Sequence, residues 1–229
     1  AVVGTRKCTD YAARWAHRLG AQIAESGGTV VSGLAMGVDI AAMRGALDAG
    51  GSVIACLGHG LEKIYPVGHR KWANGMLAEG AWISEYPVAS RVDRWCFAQR
   101  NRIVAGMAER TVLVQSPQRG GGMITAELAA DYHRDVLILN PKDEAAIWQG
   151  NRAWIDQGAL AIQEVTEVPI AAHSSPMNAP KKHLPPAPIL ELWKALQGSG
   201  GCSVKTLSME VNLVPSRVRS QLMVLELGG

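Results

Sequence analysis

The sequence is poor in several features that would assign a protein class at once. Only one of its 229 residues is Phe, although seven are Trp, and its four cysteines show no CxxC spacing. Scattered cysteines predict neither a disulfide framework nor a zinc cage, and they are typical of the reducing cytoplasm. No apolar run approaches the roughly 18 residues of a membrane span, and the first residues do not form a signal peptide. We therefore predict a cytoplasmic protein with no membrane span and no metal site.

A large excess of charge of one sign is also missing. The formal net charge is +3, and residues 1–168 contain 17 Lys or Arg against 17 Asp or Glu. A surface coated with positive charge is therefore excluded, and any anion would have to bind at local clusters of cations. Hydrophobic residues make up 48% of the chain and charged residues 19%, a composition typical of a globular protein.

The sequence does contain a regular alternation of short β-branched runs with longer amphipathic stretches, across residues 1 to about 163. Runs such as TVVS and DVLIL are apolar nearly throughout, as strands are when helices cover both faces of a sheet. The first helix pattern has Thr9 or Asp10 as its N-cap and ends at Gly27 and Gly28. The alternation predicts a doubly wound parallel α/β sheet. The predicted strands are Ala1–Gly4, Thr29–Ser32, Ser52–Leu57, Ala81–Ser84, Thr111–Gln115, Asp135–Leu139 and Ala159–Ile162.

The composition changes at Pro169, which predicts a division of the chain. Six of the 11 prolines fall within residues 169–188, so we expect a semi-extended linker after a core domain of residues 1–168. Residues 189–229 contain three short helix patterns separated by turns, which fits a helix-turn-helix or winged-helix module without its wing. The first strand starts at residue 1 with no initiator Met, so we also expect a fragment from which an N-terminal domain is missing.

Three loops with glycines follow predicted strands and precede predicted helices. Ligands of open α/β sheets bind beyond the carboxyl ends of the strands, so these loops are candidates for a site. The first, GTRK, adds a hydroxyl group and two cations, an arrangement suited to a phosphate. Tight packing explains any one such loop equally well, but three at one sheet edge favour a ligand. The loops are residues 4–7, residues 32–39 with Gly33 and Gly37, and residues 119–125 with Gly120, Gly121 and Gly122.

A fourth segment, WCFAQRNRIVAG at residues 95–106, places arginines beside aromatic rings. Four arginines and one aspartate lie between Arg91 and Arg102. Guanidinium groups bind phosphates and an exposed ring stacks on a base, so the segment fits a single nucleic-acid strand. The alternative is that Phe97 and Trp95 belong to the core and that the arginines form surface ion pairs.

Motifs for catalysis or for a cofactor are missing. The glycine loops match neither GxGxxG nor GxxxxGK[ST], Ser32 lies outside a GxSxG elbow, and no histidine has an evident acid partner. Cys56 and His59 suggest a thiol site, but a buried strand cysteine is the commoner outcome. Three roles stay open for Asp39: it caps the helix, accepts a hydrogen bond from an arginine, or binds a ribose. Helix capping is favoured. We expect no catalytic residue and no cofactor.

At these segments the sequence resembles the DNA processing protein A family of bacteria, also called DprA or Smf. The resemblance covers residues 1 to about 163, and SGLAMGVD and FAQRNRI are its most specific motifs. The other matching segments, in order, are VVGTRKCTDYA, VIACLGHGLEKIYP, ISEYP, GGGMITAELA and QGNRAWIDQGA. The sequence departs from the family pattern at four places. Met43 stands where the family usually has His, and the usual Asn is replaced near His69. RGGGM stands in place of RSGSL, and Lys142 follows Pro141 where the family has Gly.

The resemblance implies a Rossmann-like core that binds single-stranded DNA without sequence preference, without catalysing a reaction. It also implies a homodimer that helps to load the recombinase RecA during natural transformation. By this resemblance Arg6 clamps a phosphate together with the backbone amides of Gly4 and Thr5, and Phe97 stacks on a base. The full predicted DNA-binding set is Gly4, Thr5, Arg6, Lys7, Gly33, Phe97, Arg100, Asn101, Arg102, Gly120, Gly121, Gly122 and Thr125.

Two other functions stay open. Related Rossmann-like families include nucleoside monophosphate phosphoribohydrolases with the motif PGGxGTxxE, and here RGGGMITAE keeps Glu127 without the Gly-Thr pair. A nucleotide-processing enzyme is therefore the alternative. A further interpretation assigns DNA reading to the C-terminal module, because Arg217 and Arg219 lie in its last helix pattern.

Overall fold

The fold is described from a computed structural model, which defines residues 1–88, 90, 92–170, 204–214, 216–218 and 222. Its internal contacts divide the chain into two units, Ala1–Ser174 and Ser175–Gly229. Most of the predicted linker at residues 169–188 lies outside the described residues. In the described parts of the chain, every helix is too short or too polar to cross a bilayer.

The first unit alternates strands and helices, as predicted. Each predicted strand is present, and its ends agree with the structure to within two residues. The strands are β1 (Val2–Val3), β2 (Thr29–Ser32), β3 (Ser52–Cys56), β4 (Gly80–Ile83), β5 (Arg110–Leu113), β6 (Asp135–Leu139) and β7 (Leu160–Ile162). The helices are α1 (Asp10–Glu25), α2 (Val38–Asp48), α3 (Arg70–Met76), α4 (Arg94–Met107), α5 (Gly121–Asp131) and α6 (Gln149–Asp156). Short 3-10 helices occupy Val67–His69, Ala146–Trp148 and Val165–Glu167.

All paired strands run parallel, in the orders β4-β3-β2 and β1-β5-β6-β7. The predicted parallel α/β sheet is therefore confirmed, with one difference: the hydrogen-bonded ladder is interrupted between β1 and β2. At this junction the buried hydroxyl of Ser32 donates to the carbonyl oxygen of Val2 at 2.7 Å. A side chain thus satisfies a β1 carbonyl where the ladder stops.

Two hydrophobic clusters cover the two faces of the sheet. One contains α1 and α2 residues together with Val2, and the other contains α4 and α5 residues together with Val3. Neighbouring residues of a strand point to opposite faces, so the adjacent pair Val2 and Val3 serves both clusters. The strands therefore have helices on both sides, which explains why their sequences are continuously apolar.

Helices α1 and α2 cross closely at two glycines. A Cβ atom at Gly20 would lie 1.9 Å from the carbonyl oxygen of Ala42, and one at Gly45 would lie 1.9 Å from that of His17. Only glycine fits at either position without moving backbone. This close crossing fixes the position of α2, whose first residues lie at the carboxyl ends of the strands.

In the second unit, helix α7 spans Val204–Glu210, and residues 216–218 are also helical. The side chains of Leu207 and Val218 are buried in the same small apolar cluster. These elements fall inside two of the three predicted helix patterns, and the first pattern lies outside the described residues. The winged-helix assignment stays a prediction. Arg217 is exposed, and Arg219 lies outside the described residues.

Candidate nucleic-acid interface

The loops that follow β1, β2 and β5 meet α4 at an open cleft of about 460 Å³. This is the edge of a parallel sheet at which ligands are expected. The cleft brings together twelve of the thirteen residues predicted to bind DNA, and the exception is Arg102. The twelve are Gly4, Thr5, Arg6, Lys7, Gly33, Phe97, Arg100, Asn101, Gly120, Gly121, Gly122 and Thr125.

The walls of the cleft are strongly basic, although the whole unit is close to neutral. Among the described residues that line the cleft, the cations are Arg6, Lys7, Arg94, Arg100 and Arg119, and the one carboxylate is Asp39. Apart from Arg100, which lies beside Asp39, none of these cations forms an ion pair with a described carboxylate. Arg94 and Arg119 are absent from the predicted set, although Arg119 begins the third glycine loop and Arg94 directly precedes the segment at residues 95–106.

Arg100 is a buried support of the cleft, because its side chain is only 4% exposed. Its Nη1 donates to the carbonyl oxygens of Gly33, at 2.7 Å, and of Cys56, while its Nε donates to Asn101 Oδ1 at 3.3 Å. Burial lowers the pKa of this guanidinium, and the nearby Asp39 carboxylate opposes that effect. Arg100 therefore joins the ends of β2 and β3 to α4, and much of its donor capacity is already used.

Asp39 lies in the first turn of α2, where Gly37 and not Asp39 is the N-cap. The helix-capping role favoured from the sequence is therefore wrong. Asp39 Oδ2 instead accepts from the amide of Gly33 at 3.1 Å, and the carboxylate faces the charge of Arg100. Burial raises the pKa of Asp39, and Arg100 counteracts this. Gly37 has φ 79°, and a Cβ atom there would lie 2.3 Å from the carbonyl oxygen of Thr5.

The start of α5 forms another wall. Its N-cap, Gly120, offers no side-chain hydrogen bond, so the amides of the first turn have no side-chain cap. Asn101 Nδ2 and Thr125 Oγ1 both donate to the carbonyl oxygen of Gly121, at 3.2 and 3.1 Å. Asn101 and Thr125 are buried, and these bonds hold the first turn of α5 in place.

The glycines of the loops differ in what they do. A Cβ atom on Gly122 would lie 2.9 Å from the Cα of Gly4, and one on Gly4 would lie 2.6 Å from Val38 Cγ2, so close packing requires both. A Cβ atom on Gly121 would meet only Asn101 Nδ2, at 4.0 Å, so this position is open. The amide of Thr5, which is predicted above to bind phosphate, instead donates to the carbonyl oxygen of Gln115 at 2.8 Å. This hydrogen bond joins the loops that follow β1 and β5.

Phe97 is half-buried at one end of the cleft. Its ring centroid lies 5.4 Å from that of Tyr65, and the Arg6 guanidinium lies 5.4 Å from the same Phe97 centroid. Tyr65 is 42% exposed and was missed in the sequence, because no local pattern brings it to Phe97 from the β3–α3 loop. The alternative that Trp95 belongs to the core is wrong, since Trp95 is 75% exposed.

Arg102 and Glu127 lie outside the cleft. The predicted place of Arg102 in the pocket is wrong, because this side chain points to the other side of α4 and forms a surface ion pair with Glu85. Successive helical residues are turned by about 100°, so Arg100 and Arg102 cannot share a face. Glu127 is exposed and does not line the cleft. Among the described residues, no group of three or more His, Cys, Asp or Glu is placed to hold a metal ion.

The amino-acid sequence matches the family model of DNA recombination-mediator protein A over residues 1–172. The chain belongs to this family. Protein Smf of Synechocystis is 39% identical over 161 residues, which are 70% of this chain and 40% of that protein. The resemblance to the DprA and Smf proteins is thus confirmed. This family member spans about half the length of the curated relatives that it matches.

Solved structures of the family share the fold. The DNA processing protein A of Streptococcus pneumoniae is 31% identical, with a TM-score of 0.67, and the match covers 72% of this chain and 58% of that one. The Helicobacter pylori protein, whose structure addresses its single-stranded DNA binding mode, is 28% identical, with a TM-score of 0.67 and coverage of 72% and 75%. The Rossmann-like fold class is therefore confirmed for this member of the family.

Proposed function

We propose that this chain binds single-stranded DNA without sequence preference in the cleft. The observation that carries the proposal is the set of four cations without a carboxylate partner among the described residues, Arg6, Lys7, Arg94 and Arg119. Contacts with phosphates supply affinity but no sequence information, so a cleft of this kind binds many sequences.

The aromatic end of the cleft favours a single strand over a duplex. Bases in a duplex stay stacked on one another, so a side chain such as Phe97 stacks only on a base that is unpaired. The cations would take the phosphates, together with the first-turn amides of α5, because a helix N-terminus favours an anion. The Helicobacter pylori relative, for which a single-stranded DNA binding mode is described, supports the same choice.

The predicted site residues divide into two roles in this proposal. Arg6, Lys7 and Phe97 contact the strand, and Arg94 and Arg119 join them. Arg100, Asn101 and Thr125 are positioning residues, since their polar groups already bond to the protein itself.

We also propose that the chain acts in recombination mediation. It would do so as a dimer of two copies and would pass the bound strand to RecA. The family description supports this step, and residues 1–172 carry the family match. The proposal includes no covalent reaction. Glu127, the acid that the alternative enzyme would need, is exposed outside the cleft, and Asp39 is buried beside Arg100.

Incubation with a panel of nucleoside monophosphates is expected to release no free base.

Titration with fluorescent oligo-dT at several salt concentrations tests the cleft. Wild-type protein should bind the single strand more tightly than a matched duplex, and the affinity should fall steeply with salt. Arg6→Ala should weaken binding of all sequences and reduce the salt slope by about one. Arg102→Ala is the matched control, because it removes the same charge from the opposite side of α4, and it should change little. Equal binding of duplex and single strand would contradict the proposal.

Gly121→Ala tests the start of α5 separately from the cations. The new methyl group should block the approach of a phosphate, and loss of one charge-assisted hydrogen bond of about 1.5–3 kcal/mol predicts roughly 10- to 150-fold weaker binding of oligo-dT. Stability should not fall, because nothing crowds the position and Ala favours a helix. Gly75→Ala in α3, also at an uncrowded position, is the control and should bind normally. Normal binding by Gly121→Ala would place the phosphates elsewhere.

A further inference from the structure

We propose that Tyr65 is a second base-stacking residue, which together with Phe97 forms one aromatic platform at the end of the cleft. This inference rests on the proposed single-strand binding. It extends that function to the loop between β3 and α3, which carries no residue of the predicted DNA-binding set.

Tyr65 lies on the path of the strand, because it lines a small pocket that adjoins the cleft. The pocket wall adds Met36, Tyr65 and Pro66 to residues that also line the cleft. The shared residues are Arg6, Gly33, Ala35, Phe97 and Arg100. The pocket holds only about 20 Å³, which is enough for a water molecule but not for a base. A base would therefore lie across the mouth of the pocket, against the exposed Tyr65.

The two rings form one surface, and Tyr65 is its outer part. Their centroids lie 5.4 Å apart, with an angle of 37° between the ring planes. The rings therefore contact each other, and no base fits between them. Phe97 is half-buried, and the Arg6 guanidinium also lies 5.4 Å from its centroid. Tyr65, at 42%, is the more exposed of the two aromatic residues, so it offers the more accessible stacking surface.

The backbone of Tyr65 is held in place, although the residue is exposed. Its amide donates to Nε2 of the buried His59 at 3.3 Å, and His59 Nδ1 donates to the carbonyl oxygen of Gly60 at 2.9 Å. At the end of the same loop, His69 Nδ1 donates to the carbonyl oxygen of Leu34 at 3.0 Å. This bond joins the β3–α3 loop to the loop that follows β2. A ring on a loop that is already ordered loses little conformational entropy when a base stacks on it.

An exposed ring close to an unpaired cation suits a single strand. Every base has an aromatic face, so stacking on Tyr65 gains affinity without selecting a sequence. Arg6 lines both the pocket and the cleft, and it has no carboxylate partner among the described residues. Its guanidinium is available for a phosphate next to the stacked base. The end of the cleft thus offers a base contact and a phosphate contact side by side.

Titration with fluorescent oligo-dT compares Tyr65→Leu and Tyr65→Phe with wild type. Tyr65→Leu should bind roughly 5- to 150-fold more weakly, the range for loss of one base–aromatic stack, and Tyr65→Phe should retain most of the affinity because it keeps the ring. The salt slope should stay unchanged in Tyr65→Leu, because no charge is removed. Tyr132→Leu is the matched control and should bind normally, since Tyr132 is also 42% exposed but lines neither the cleft nor the pocket.

A photochemical cross-link on the wild-type protein separates direct contact from mere support of Phe97. Oligo-dT that carries 5-iodouracil at one position is irradiated in the complex, and the modified peptide is identified by mass spectrometry. We expect an adduct at Tyr65 and none at Tyr132. Weaker binding by Tyr65→Leu without an adduct at Tyr65 would show that this ring only positions Phe97, and it would overturn the inference.

Failure of the inference is distinguishable from failure of the proposed function. If wild-type protein binds oligo-dT and Tyr65→Leu binds it equally well, the inference is overturned and the proposed function stands. If wild-type protein does not bind oligo-dT, both fall.

Discussion

Replacement of Arg100 by Ala is expected to lower the free energy of unfolding by about 3–5 kcal/mol, the cost of leaving a buried charge without its partner. The side chain is 4% exposed, and its guanidinium bonds to the carbonyl oxygens of Gly33 and Cys56. Its removal leaves these carbonyls unpaired and Asp39 buried without a compensating cation. Urea denaturation followed by circular dichroism measures the change. Arg102→Ala is the control, and should cost no more than about 1 kcal/mol because its ion pair is exposed.

The pH dependence of unfolding tests whether Asp39 is the electrostatic partner that Arg100→Ala leaves uncompensated. Burial raises the pKa of Asp39 in the folded protein. A carboxyl with a raised folded-state pKa favours folding at low pH, and it loses that contribution as the pH rises through the folded-state pKa. Loss of Arg100 raises this pKa further, so the stability gap between Arg100→Ala and wild type should narrow as the pH falls. A gap that is constant with pH would show that Asp39 is not the group left unpaired.

Gly45→Ala is expected to lower the free energy of unfolding by about 3 kcal/mol, at the upper end of the usual range for overpacked interiors. Helix propensity alone predicts a gain of about 1 kcal/mol, so the sign of the effect distinguishes packing from propensity. The new Cβ atom would lie 1.9 Å from the carbonyl oxygen of His17, and a helix backbone cannot yield there without separating α1 from α2.

Gly106→Ala in α4 is the control for this substitution. Its nearest neighbour would be Tyr132 Cε2 at 3.7 Å, an ordinary contact, so the propensity gain should appear. Thermal denaturation of both variants gives the comparison. Gly45→Ala and Gly106→Ala with equal stability would mean that α1 and α2 adjust freely at their crossing.

The fold was predictable because its signals are local. The strands β2 and β6 are apolar nearly throughout, and their observed ends equal the predicted ones. The cleft was predictable for a related reason, since parallel strands bring their carboxyl ends to one edge and the glycine loops mark those ends.

The roles of the arginines were harder to predict. Phe97, Arg100, Asn101 and Val104 follow the spacing i, i+3, i+4 and i+7, so the period of α4 already indicates that Arg100 faces inward and Arg102 outward. The prediction treated the RNR run as one unit and missed this phase. The contacts of Asp39 and Tyr65 had no comparable signal, because each joins segments that are far apart in the sequence.

The strand order explains why the cleft lies beside the loops that follow β1 and β5. From β1 the chain proceeds to β2, β3 and β4 on one side, and then returns to β5 on the other side of β1. The connection that leaves β1 turns towards the α1–α2 face, and the one that leaves β5 turns towards the α4–α5 face. A crevice opens between two diverging loops at such a topological switch point, whatever side chains they carry. The topology thus supplies the opening, and the loop residues determine only the charge and the aromatic surface of its walls.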